Sequence, residues 1–447
     1  MTVLTETPTD RVKSAAPSLL SAAWYRNYVL GVLFLTYIFN VIDRSQVLAV
    51  NLQSIKLELG VSDALLGLLG GIPFAVFYSI LGIPIASLAD RWSRRHVLAL
   101  AVAIWSAMTA LCGMAVNFAT LFAARVGVAI GEAGGSPPSH SLISDYFPKS
   151  ARGTAFSIFA LAVPLGTMIG APFAGWSNVN YGWRATFVIV GLPGVVLALL
   201  AWLTIKEPPR GFSDNVDPSV ARAKAPPMWD VIKYLWRRRS FLHLSLAAAL
   251  HSVVWYGAGQ WNPSFFIRSH GWTPQEAGGW IAIFALVGGF GTFLGGYAAD
   301  KISVVMKDRR WYVWVPGLAT LAMVPFQFTA YLASSLPTIV VSFAIMTFLA
   351  AVFFGPSFTM TQALATLRMR SVATSLLLFV QTLIGFGLGP TVVGRISDYL
   401  NADYGRHSLR YALVIVGLTN VWAAAHYFWS GRSLRQDLEA TEKLASV

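Results

Sequence analysis

The sequence predicts an all-α integral membrane protein, with twelve transmembrane helices arranged as two pseudo-symmetric six-helix bundles. Three observations carry that expectation. The 447 residues are 55% hydrophobic and only 12% charged, about half the charge of a soluble domain, and mean hydropathy is +0.59. Apolar runs of about 20 residues recur from end to end, each long enough to cross a hydrocarbon core of roughly 30 Å. The second half of the chain also repeats the punctuation of the first.

Taken in order, residues 1–26 form an N-terminal segment with Arg11, Lys13 and Arg26 but no apolar run of their own. The first helix is therefore expected to act as the insertion signal. Spans are expected near 28–51, 64–89, 96–116, 119–144, 153–176 and 183–205, making an N-terminal bundle over 27–205. Residues 206–240 read as a linker, broken by Pro208, Pro209, Pro218, Pro226 and Pro227. Its last part, Met228 to Arg239, places Trp229, Ile232, Leu235 and Trp236 at helical spacing beside Lys233 and Arg237. That pattern predicts a short helix on the inner membrane surface. The second bundle, 241–430, holds spans near 241–266, 275–299, 311–333, 337–365, 371–396 and 408–430. The polar tail 431–447 is expected to be a short exposed helix.

A net charge of +13 suggests nucleic acid until the charges are placed. Lys56, Arg184, Arg268, Arg395, Arg406 and Arg410 fall on one side of these spans, and Arg44 and Arg125 fall within the membrane. The other 25 of the 33 basic residues lie on the side of both termini. This positive-inside bias predicts cytoplasmic termini, contact with anionic membrane lipids, and no nucleic-acid partner. A lone Cys112 permits no internal disulfide. No Asn-x-Ser/Thr acceptor is usable, because Pro263 follows Asn262. External loops are short, so a bacterial cytoplasmic membrane and a monomer are expected.

The duplication is visible at two places. Ser87, Asp90, Arg91, Arg94 and Arg95 after the second span correspond to Gly295, Asp300 and Lys301 after the eighth. Arg152 precedes Pro172 by 20 residues, as Arg370 precedes Pro390. Between them Ala155 matches Ala373, Ser157 matches Ser375 and Leu165 matches Leu383, and each segment carries a Gly-x-x-x-Gly pair before its proline, Gly166 and Gly170 in one and Gly385 and Gly389 in the other. Small residues at that spacing let helices approach closely, and proline bends them. Six plus six helices, a basic central loop and paired acid–base loops resemble the major facilitator superfamily, in which two halves rock about a midplane site. The 86–95 loop departs from the usual pattern at Ala86 and Ser93, where glycine is common.

Within that superfamily three segments resemble the Spinster family: Phe39 to Arg44, Arg125 to Ala133, and Gly257 to Pro263. Leu142 to Phe147, Arg152 and Pro164 to Gly166 strengthen the likeness. The resemblance implies an amphiphilic anion as substrate, such as a lysophospholipid or a sphingosine-like molecule, and coupling to protons. It also implies that Arg44 contacts the anionic headgroup, that Asp43 and Glu132 are protonation sites, and that Arg125 is their partner.

The residues point the same way without the family. A charged group near the membrane centre costs a few kcal/mol or more, so it faces protein or water, pairs, or carries function. Arg125 and Glu132 are two turns apart and share a helix face. Asp43 lies about 22 Å along helix 1 from its inner end, and Arg125 about 9 Å from the outer end of helix 4. Asp43, Arg44 and Arg125 can therefore meet, with Glu132 nearer the midplane. Movement of Arg125 toward or away from Glu132 would then release or bind a proton. Gly134, Gly135, Pro137 and Pro138 interrupt helix 4 beside Glu132 and suggest a hinge. Tyr37, Asn40, Tyr256, Gln260, Trp261, Thr359, Gln362 and Gln381 are candidate cavity-lining groups. Asp90, Arg91, Asp145 and Arg152, with Asp300 and Arg370 as counterparts, are candidate gate residues. His140 and His251 could relay protons, or be hydrogen-bonded interior histidines.

No phosphate-binding glycine loop, nucleophile triad or metal-ligand cluster is present, so neither enzyme chemistry nor a cofactor or metal is expected. The sequence favours a proton-coupled secondary transporter working by alternating access. A carrier of a small organic anion, coupled or uncoupled, is the alternative, and a receptor that binds the same ligand without moving it is the different-class option.

Overall fold

The computed structural model describes residues 20, 22–214, 227–366 and 369–445, except the side chains of Asp90, Lys149 and Ala445. Every regular element among them is helical. Ten helical stretches among the described residues are long and apolar enough to cross a membrane, from Ala23–Leu59 to Asn401–Leu444. One of them, Ser150–Thr204, has 55 residues and bends at Gly182, whose φ of 81° lies in the left-handed region that glycine tolerates. The stretch 118–146 is helical too, as Phe118–Glu132 and Ser136–Tyr146, but it is broken and polar in its second part.

Three interruptions shape the interior. Helix 1 runs Ala23–Val41, widens into a π turn at Ile42–Gln46, and resumes as Val47–Leu59. Such turns hold one extra residue and occur often at functional sites. A second π turn, Gln381–Phe386, sits between helices Arg370–Val380 and Gly387–Tyr399. The third is the break after Glu132. There Gly131 lies against the Trp105 backbone, and a Cβ on it would meet that backbone at 2.5 Å.

The two halves meet most closely at the end remote from the linker, here the far end. Gly67 packs on the Pro390 carbonyl, where a Cβ would meet the oxygen at 2.6 Å. Asp63 is buried there, paired with Lys56 at 2.6 Å and with Arg268 of the other half at 2.6 and 2.8 Å. Arg268 also reaches Gln53, and Ser397 donates to Asp63 at 2.7 Å. Asp398 accepts the backbone N–H groups of Asp63 and Ala64 at 2.9 and 2.7 Å. These N–H groups open helix Asp63–Leu69 and have no partner inside it.

At the linker end, hydrogen bonds and ion pairs among the described residues stay within one half or run to the linker. Arg94, almost fully buried, bonds Glu207 at 2.7 Å, Ser141 at 3.0 Å, the Pro208 carbonyl at 2.7 Å, and Asp145. Burial alone would raise the Glu207 pKa. The Arg95 backbone N–H and the Arg94 guanidinium outweigh that and hold the carboxyl below its ordinary value. In the other half, Asp308 joins Arg310 at 2.7 Å and Arg435 at 2.8 Å. The tail departs from expectation. Helix Thr419–Ala445 continues unbroken, and Leu434 and Leu438 are buried against Phe241, Leu364 and Leu377, because apolar residues one turn apart give it a packing face.

Candidate functional site

The site forms where the π turn of helix 1 faces the broken fourth span. Arg125 is buried and donates to three carbonyls: Asp43 at 3.2 Å, Arg44 at 2.9 Å and Leu69 at 3.2 Å. Leu69 is the last residue of its helix before Gly70 and Gly71. Arg125 thus clamps two places where regular helix stops. The hydrogen bonds Arg125 makes are to backbone carbonyls, where the sequence suggested a partner for the carboxylates of Asp43 and Glu132. Its five donors lie in a fixed fork, and backbone oxygens occupy that fork here.

Glu132 instead faces Arg44, with Oε2 3.7 Å from Nε. The Arg44 guanidinium lies over three rings, 4.4 Å from Tyr78, 4.9 Å from Phe386 and 5.4 Å from Phe74. Cation–π attraction holds it flat in this aromatic frame. Its side chain remains 22% exposed. Asp43 and Glu132 are buried, and neither carboxyl makes a hydrogen bond among the described residues. Sequence reasoning missed Phe74, Tyr78 and Phe386, because an aromatic in a membrane helix is usually packing.

The remaining candidates separate. Tyr37, Asn40, Thr36, Trp105 and Ser139 line a cavity of about 10 Å³ beside the helix-4 break, and Tyr37 stacks on Phe159 at 4.6 Å. Tyr256 meets Phe386 edge-on at 4.9 Å, which joins it to the Arg44 frame. Gln381 opens the second π turn, with its amide nitrogen buried and without a partner among the described residues. Gln260 donates to the Leu66 carbonyl across the halves at 3.2 Å. Trp261 is fully buried with its N–H on the Pro390 carbonyl at 2.9 Å, so it packs the far end. Thr359 and Gln362 are exposed on helix Phe354–Ala363.

The gate candidates regroup as well. The Asp90 side chain lies outside the described residues. Asp145 pairs with Arg94 rather than Arg91, because Arg91 ends one helix on its exposed side while Arg94 begins the next facing inward. Arg152 donates to the Ser144 and Phe147 carbonyls and to Ser213. Asp300 accepts from Tyr312 at 2.6 Å, and Arg370 is exposed. His251 is an interior histidine bonded to Asn420 at 3.0 Å and the Ala350 carbonyl at 2.9 Å. His140 is exposed, edge-on to Phe156 and Phe159.

With this geometry in hand, the sequence profile of the Major Facilitator Superfamily matches residues 33–390 and 267–446. The chain belongs to the Major Facilitator Superfamily. It is therefore a multi-pass membrane transporter of a non-catalytic class. It is 30% identical to an MFS-type efflux pump of Mycolicibacterium smegmatis, over 92% of this chain and 93% of that one. A probable galactarate/D-glucarate transporter of Bacillus subtilis is 28% identical over 64% of this chain and 66% of its own length. A crystal structure of a bacterial homolog of the human lysosomal transporter Spinster, inward-facing and unoccupied, superposes with a TM-score of 0.86. Identity to it is 34%, over 93% of this transporter and 99% of that chain. The transporter is thus related to the Spinster family, as its helix 1 and helix 4 segments predict.

Proposed function

We propose that this transporter is a proton-coupled carrier of a small organic anion, working by alternating access. The observation that carries the reading is Arg44, part-exposed in an aromatic frame and 3.7 Å from the buried Glu132. An ionised carboxylate buried without a hydrogen bond is costly, so Glu132 is a place where a proton can be taken up. With Glu132 charged, Arg44 is engaged by it. With Glu132 protonated, the guanidinium is free to take the carboxylate of a solute. Proton and anion then enter the same state of the carrier, which is the logic of symport. Asp43 serves as a second proton site, held in place by the Arg125 clamp on its own carbonyl.

The sugar-acid transport of the Bacillus relative fits a guanidinium as receptor, since arginine matches carboxylate geometry in two parallel bonds. A lysolipid is the second reading, favoured by the likeness to the Spinster homolog along nearly the whole chain and by the aromatic wall around Arg44. Twelve crossings follow if Ser150–Thr204 crosses twice about Gly182 and residues 118–146 cross once. The linker end and both termini are then cytoplasmic, and the far end is external.

Proteoliposomes with an imposed pH gradient test the proposal, using labelled glucarate and labelled lysophospholipid in parallel, with Glu132→Gln and Arg44→Lys. Glucarate accumulation at least about tenfold lower in both variants supports the reading. Gradient-driven flux of the lysolipid alone supports the second reading, and accumulation unaffected by Glu132→Gln removes the coupling role.

A further inference from the structure

The linker helix Met228–Trp236 divides into three faces. At about 100° per residue, Val231 and Leu235 fall together, and both are fully buried against the second half. Next to them lie Met228, Ile232, Trp236 and Trp229, of which Met228, Trp229 and Trp236 are 57%, 62% and 50% exposed. Beyond the tryptophans come Lys233 and then Arg237, one turn apart and both exposed. The expectation from sequence placed Leu235 on the membrane face. It belongs to the buried one, which leaves the two tryptophans and the bases free to face outward together.

Behind the bases is a cavity of about 500 Å³ lined by Asp230, Lys233, Tyr234, Arg237 and Arg238. Arg238 is committed, lying 3.7 Å from Asp437 and 4.7 Å over the Tyr234 ring. Lys233 and Arg237 have no carboxylate within ion-pair distance among the described residues. Asp230 is the single acid among the described residues of the cavity lining. A helix that exposes two tryptophans beside two uncommitted cations has the two components of an interfacial lipid contact. Aromatic rings sit at headgroup depth, and bases attract anionic headgroups.

We propose that Lys233 and Arg237, with the cavity beside Tyr234, form a binding site for the phosphodiester of an anionic phospholipid, whose chains run along Trp229 and Trp236. The site is separate from Arg44 and Glu132 and does not depend on which solute is carried. It ties the linker and the start of helix Arg239–His270 to one membrane leaflet. The second half then rocks against a lipid anchor at its linker end.

Native mass spectrometry of the delipidated full chain tests this, titrated with phosphatidylglycerol, with phosphatidylcholine, and with inorganic phosphate as competitor. Each base near an anionic surface is worth roughly a fivefold change in binding. Lys233→Gln with Arg237→Gln should weaken phosphatidylglycerol retention by about 25-fold, and Asp230→Asn should tighten it about fivefold, with phosphatidylcholine unaffected by either. The rise in Asp230→Asn keeps the test valid if the double variant folds poorly. Phosphatidylglycerol retention unchanged in all variants, or equal retention of phosphatidylcholine, overturns the site. Full displacement of the lipid by millimolar inorganic phosphate overturns the lipid in favour of a soluble anion.

Discussion

The two ends of the transporter are built on opposite plans. At the far end Asp63, buried in one half, is bonded to Arg268 and Ser397 of the other, and Asp398 caps the helix that Asp63 begins. At the linker end Arg94 gathers Asp145, Ser141 and Glu207, and Asp308 gathers Arg310 and Arg435, each within its own territory. The first arrangement sews the halves together. The second stiffens each half and leaves them free of one another. The contrast teaches where charge does mechanical work: a cross-half carboxylate ties two parts of the chain together, whereas an intra-half one stiffens a single part.

The largest effect is expected from Asp63→Asn, which leaves Arg268 buried without its carboxylate. Breaking a buried pair from one side costs about 3–5 kcal/mol. The far end should therefore open, read as longer distances between spin labels on the two halves at that end. Cys112 is fully buried, so it adds little background labelling. Unchanged distances would remove the latch. Arg94→Gln should cost about as much stability, since Asp145 and Glu207 lose their cation, yet leave the far-end distances where they are. A shift in those distances would show that the two ends are coupled.

A glycine pair gives a finer comparison. Gly67→Ala drives a methyl into the Pro390 carbonyl and should cost about 1–3 kcal/mol by overpacking. Gly153 on helix Lys149–Ala160 has open space around its Cβ position. Gly153→Ala should stabilise by up to about 1 kcal/mol through helix propensity. Thermal unfolding of the two variants reads both signs.

The smallest effect concerns Asp308. The side-chain bond from Arg310 lowers its pKa to about 2. A carboxyl depressed on folding contributes stability that is complete above its unfolded value of about 4, and that is lost as pH falls toward about 2. Solvent screening keeps this below about 1 kcal/mol. Asp308→Asn should therefore lower stability slightly at neutral pH, by less than about 1 kcal/mol, and the difference from the parent should vanish as pH falls through that window.

Much of this plan is legible in the sequence, and what is not has a common cause. The spans, the family likeness and the charged residues of the site follow from hydropathy and from the cost of charge in the bilayer, both of which are local in the chain. The Asp63–Asp398 contact joins residues 335 positions apart, and no periodicity encodes it. Its one trace is that Arg268 stands among the few bases on the minority side. The linker-end hub at Arg94 was within the loop motif, but helix phase, one residue after a turn, decides that Arg94 points inward and Arg91 outward. The Arg125 clamp was hidden for another reason: its partners are carbonyls, which every residue possesses, exposed to it by a π turn that composition does not reveal.

That π turn has a consequence for helix 1 as a machine part. Ala23–Val41 and Val47–Leu59 behave like the two scales of a vernier, one residue out of step. Sliding the extra residue along the rod would turn the segment it passes by about 100° while both ends stay docked. Arg44 and Asp43 sit on the sliding division, so their direction can change without the helix moving.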